Sequence, residues 1–87
     1  MTIENYLDNI KLQLGDRFKV IRRKNFIQVW NTMFEKLHDG EFIFMVEYRY
    51  KGVKYHMRFI RNENNLNYRG VNKVVKQVLK AAKEMNK

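Results

Sequence analysis

Residues 41–61 read EFIFMVEYRYKGVKYHMRFIR, and this stretch decides the fold. Glu41 to Tyr50 and Val53 to Arg61 both alternate, and the Lys51-Gly52 pair between them suits a two-residue hairpin turn. In that register Phe44 faces Phe59, Val46 faces Met57 and Tyr48 faces Tyr55, which makes one face apolar. The other face pairs Arg49 with Lys54, Glu47 with His56 and Met45 with Arg58. The apolar face needs a cover, and amphipathic helices on either side of the hairpin are read as that cover.

Residues 2–14 form the first of them. Ile3, Tyr6, Leu7, Ile10 and Leu14 recur at helical spacing, Thr2 is placed to cap the start and Gly15 to end it. Arg17 to Lys24 alternates only in part and reads as a short strand running into a basic turn. Residues 25–38 divide Phe26, Val29, Trp30, Met33 and Leu37 from a polar side, which favours helix over strand. A loop rich in asparagine covers 62–68. Over residues 69–86 a last helix is expected, with Val71, Val74, Val75, Val78, Ala82 and Met85 as its inner stripe. The fold class is therefore α+β: a small antiparallel sheet covered on one face by helices, with N- and C-terminal helices flanking the hairpin. The 87 residues read as a single domain of nucleic-acid-binding type.

Charge is confined to one half of the chain. Residues 1–47 hold seven Lys/Arg and seven Asp/Glu, whereas residues 48–87 hold eleven Lys/Arg against Glu63 and Glu84, which accounts for the net +9. Clustered cations raise the local potential and release counterions when phosphate binds, so a polyanion is the partner such an asymmetry implies. Lys73, Lys76, Lys80 and Lys83 fall along one side of the last helix, with Arg69 at its start. A merely solvated face usually interleaves both signs, and here Glu84 is the only acid in the helix. Arg49, Lys54 and Arg58 form a second group on the polar face of the hairpin, where guanidinium forks suit phosphate. Arg22, Arg23 and Lys24 make a third, at the turn after the first strand.

Other chemistries find little support. The aromatic face of the hairpin is read as core rather than as a platform for stacking bases, and Tyr68 beside Arg69 is a better stacking candidate. Serine and cysteine are absent, so no such nucleophile exists, and His38 and His56 lack an acid–base set around them. The chain is not read as an enzyme. No metal or cofactor is expected, since no HxxxH, CxxC or acidic cluster is present. Lack of cysteine fits a reducing cytoplasm. Glu4 and Asp8 near the start, without a long apolar run, argue against a signal peptide or membrane span.

The order helix, antiparallel hairpin, loop, basic C-terminal helix resembles the double-stranded-RNA-binding domain. Gly70 at the start of the last helix, Lys73 and Lys76 after it, and the Ala81-Ala82 pair carry the likeness. Asn72-Lys73 stands where that family has two adjacent lysines, and residues 25–38 read as helix rather than strand. The resemblance implies RNA as the partner, held by lysines near the start of the last helix. RNA, or nucleic acid generally with DNA second, is thus the expected ligand, bound through the backbone. A second expectation is a small inhibitor of phage or antitoxin type, whose basic face meets a host enzyme or an enzyme–RNA complex. A second copy of the chain is a further expected partner, because twofold symmetry would double the basic surface.

Overall fold

The computed structural model describes residues 1–23 and 39–85. Its elements are helix α1 (Ile3–Leu14), strands β1 (Phe18–Arg23), β2 (Glu41–Tyr50) and β3 (Val53–Asn62), a 3-10 turn at Glu63–Asn65, and helix α2 (Tyr68–Met85). Lys24 and the helix expected over 25–38 lie outside the described residues.

The expected α+β architecture is observed. β2 is central, with β1 and β3 antiparallel on its two sides. Phe44 pairs with Phe59, Val46 with Met57 and Tyr48 with Tyr55, the register read from the alternation. Lys51 (φ 51°) and Gly52 (φ 79°) both take the left-handed conformation, as a two-residue hairpin turn requires when it must match the twist of its strands.

Both helices begin where capping chemistry places them. Thr2 Oγ1 accepts from the Asn5 amide at 3.1 Å, and the Gly15 amide returns to the Lys11 carbonyl at 2.9 Å. Lys11 then bonds the carbonyls of Gly15 and Phe18 through its ammonium, tying the end of α1 to the start of β1. At α2, Asn67 Oδ1 accepts from the Gly70 amide at 2.8 Å, so Asn67 is the cap. Leu66 before it and Val71 after it both join the core, in the positions of a hydrophobic staple.

One core lies between the helices and one face of the sheet. Phe42, Phe44, Val46 and Tyr48 of β2 meet Tyr6, Ile10 and Leu14 of α1 together with the four valines of α2. Tyr6 sets its ring edge-on to Phe44, with centroids 5.9 Å apart, while Phe44 stacks on Phe59 at 5.2 Å. The aromatic face is therefore core, as its alternation implies.

The other face differs from a simple solvated surface. Ile43, Met45 and Glu47 are 1%, 5% and 8% exposed, so β2 is buried on both sides. A central strand has neighbours on both edges: Met45 sits between Ile21 and Arg58, and Glu47 between Lys19 and His56.

Candidate nucleic-acid interface

Lys73, Lys76, Lys80 and Lys83 are all exposed along α2, opposite the buried Val71, Val74, Val75 and Val78. The division follows from helical periodicity, since spacings of three and four return to the same side. At 1.5 Å per residue the row is roughly 15 Å long. No lysine of the row forms an ion pair with a carboxylate of the described residues. Arg69, Lys73 and Lys76 surround a shallow depression with Asn72.

The hairpin group is less uniform than its spacing implies. Lys54 Nζ lies 3.6 Å from Glu47 Oε2, so this lysine is partly neutralised by the carboxylate beside it. Glu47 therefore serves Lys54, and His56 stands exposed across the strand. Arg49 is exposed near the turn, while Arg58 pairs with Met45 further along the same face.

The third group is set apart. Arg23 pairs with Ile43 at the far end of the ladder from the hairpin turn. Six residues of strand separate Ile43 from Arg49, roughly 20 Å. Arg22 lies on the helix side, with its Nη1 3.7 Å from Glu4 Oε1 and its guanidinium 6.0 Å from the Phe42 ring centroid. It is bound up with the start of α1 and is not beside the hairpin arginine.

Two residues outside the three basic groups join the site, Arg17 and Tyr50. β1 begins at Phe18, opposite Tyr48, so Arg49 and Tyr50 run past the end of that strand. Arg17 closes the corner this leaves. Two clefts open there and share Arg17, Tyr48 and Arg49. One, of about 200 Å³, lies on the helix side, where Phe18, Tyr50, Leu79, Ala82 and Lys83 complete its wall. The other, of about 320 Å³, lies toward the outer face, where Asp16, Lys19, Glu47 and Lys54 complete it. The corner therefore joins the end of the α2 row to the hairpin cations. Only the β1–β2 register reveals this, because nothing local to Arg17 marks it.

Some cations are committed elsewhere. Arg61 donates from Nη1 to the Ile60 carbonyl at 2.8 Å, with its guanidinium 5.3 Å from the Phe59 centroid. It also acts on Tyr6: burial pushes that hydroxyl above its usual value of 10.0, and the nearby Arg61 charge offsets part of the rise. The Tyr6 hydroxyl nevertheless has no bonded partner among the described residues. Among those residues no group of His, Asp and Glu is arranged to hold a metal ion, and no helix is long and apolar enough to cross a membrane. In comparisons with known proteins, no family model, no curated protein and no solved structure matches the chain.

Proposed function

We propose that this protein binds nucleic acid, RNA in the first instance, through its phosphate backbone and with little readout of base sequence. The observation that carries the proposal is the exposed row Lys73, Lys76, Lys80 and Lys83, free of carboxylate partners among the described residues. Lysine ammonium groups on mobile stems neutralise phosphates without fixing a base, which suits binding across unrelated sequences. Arg69 extends the row at one end, and Arg17 with Arg49 extends it at the other. RNA stands ahead of DNA because the order of the described elements, helix, three antiparallel strands, helix, resembles that of the double-stranded-RNA-binding domain.

The test begins with the nucleic acid that accompanies the protein from cells, detected by ultraviolet absorbance and identified by sequencing. Binding to unrelated RNA sequences should then fall steeply with salt. Replacing Lys73 and Lys80 by Gln should flatten the log–log salt plot by ~0.7 to 0.9 for each phosphate no longer neutralised. An unchanged affinity and slope would make the row a solvated face. Protein that carries and binds no nucleic acid would redirect its basic surface to an acidic protein target.

A further inference from the structure

We propose that the helix-side cleft at the hairpin end holds one unpaired nucleotide of the bound strand. Its base would lie against Tyr50 and Leu79, and its phosphate on Arg17, Arg49 and Lys83. The inference rests on the nucleic-acid reading above and adds to it a preference for strands with unpaired residues.

Two properties of the cleft meet in no other class of ligand as well as in a nucleotide. Its cations are Arg17, Arg49 and Lys83, and among the described residues no carboxylate lines it. Three positive groups around a small opening are mutually repulsive until an anion sits between them, and guanidinium forks match phosphate oxygens. Beside them stand accessible apolar groups: Tyr50 is half-buried, and Leu79 is 46% exposed on an otherwise basic helix face. Inorganic phosphate has no use for that wall, and an aliphatic chain has none for the three cations. A base joined to a phosphate uses both.

Position supports the same occupant. Lys83 is the last lysine of the α2 row and also lines the cleft, so a backbone followed along the row arrives there. Lys51 Nζ lies 5.3 Å from the Tyr50 centroid, a further cation beside that ring. In a duplex the faces of the bases are covered by their neighbours, and only an unstacked nucleotide offers its π surface to a tyrosine.

The test compares two probes, a single-stranded uridine oligoribonucleotide and a blunt-ended RNA duplex of equal length, by fluorescence anisotropy. Tyr50→Leu should weaken the single strand about 5- to 150-fold, the range for loss of one base–aromatic stack, and leave the duplex unchanged. Arg49→Gln, at an exposed position outside the core, should likewise weaken the single strand more than the duplex. The double variant Lys73→Gln/Lys76→Gln should weaken both. If Tyr50→Leu and Arg49→Gln affect the two probes equally, or affect neither, the cleft proposal fails while backbone binding stands. Wild-type protein that binds only the duplex would likewise overturn the cleft proposal alone. Wild-type protein that binds neither probe overturns both readings.

Discussion

Lys54 and Glu47 form an ion pair of unequal partners: the carboxylate side chain is 10% exposed and the ammonium 55%. The lysine therefore serves the sheet before it serves a ligand. Removing it leaves a nearly buried carboxylate without its counter-charge, a cost that water at the exposed end limits to about 1 kcal/mol. Lys54→Gln is expected to lower the melting temperature while changing RNA affinity less than Arg49→Gln does. Thermal melts beside anisotropy titrations separate the two effects. A loss of affinity equal to that of Arg49→Gln, without loss of stability, would restore Lys54 to the binding set.

Tyr6 is 1% exposed, and its hydroxyl has no hydrogen-bond partner among the described residues. Its ring, by contrast, contacts Phe42 and Phe44 edge-on. Tyr6→Phe keeps the ring and removes the unsatisfied group, so stability should rise by about 1 kcal/mol. The variants should also differ in alkali. Because the folded value lies above the unfolded 10.0, ionisation of this hydroxyl leaves wild-type stability untouched below pH 10 and lowers it as pH rises through the folded value. The Phe variant has no hydroxyl to ionise and escapes that loss. Denaturant midpoints for the two proteins should therefore diverge further above pH 10; parallel curves would show that Arg61 satisfies the hydroxyl.

Gly70 sits in the first turn of α2, and a methyl group there would lie 3.5 Å from Tyr6 Cε1, ordinary contact distance. Its backbone does not need the freedom of glycine, since the left-handed glycines are Gly15, Gly40 and Gly52. Gly70→Ala should stabilise by ~0.5 to 1 kcal/mol through reduced freedom of the unfolded chain and better helix propensity. Urea unfolding with an unchanged slope would establish it. A fall in stability would mean that α1 and α2 approach too closely for a side chain at this position.

Phe59 is 4% exposed and stacks on Phe44, which is fully buried. Truncation to Ala should cost ~3 to 5 kcal/mol, a large part of the roughly 5–15 kcal/mol typical of a domain. RNA affinity measured well below the melting temperature should be retained. A variant that melts normally yet fails to bind would move this aromatic face from the core to the interface.

What is legible in the sequence is local. The hairpin can be read because Lys51-Gly52 and two alternating runs lie side by side in the chain, and both described helices because caps and apolar stripes are short-range signals. Pairing of β1 with β2 depends on residues far apart in sequence, and the position of Arg17 beside Arg49 depends on that pairing. Alternation also assigns Glu47 to a polar face without telling that its strand is central, so its burial and its bond to Lys54 are out of reach. Arg22 and Arg49 look equivalent as basic residues near strand ends. The fold sends one to Glu4 and the other to the opposite end of the sheet.

The sheet order has a kinetic side. β2 and β3 close across a two-residue turn, whereas residues 24–40 lie between β1 and β2 in the chain. Bringing together residues far apart in the chain costs more chain entropy than closing a local hairpin, so the second pairing is the harder one. The hairpin should therefore form early and β1 should dock late. In a chevron experiment Gly52→Ala, which strains the left-handed turn, should act chiefly on the folding arm. Phe18→Ala, which loosens the first strand, should act chiefly on the unfolding arm. The corner of Arg17 and Arg49 would then be among the last parts of the protein to assemble and among the first to open.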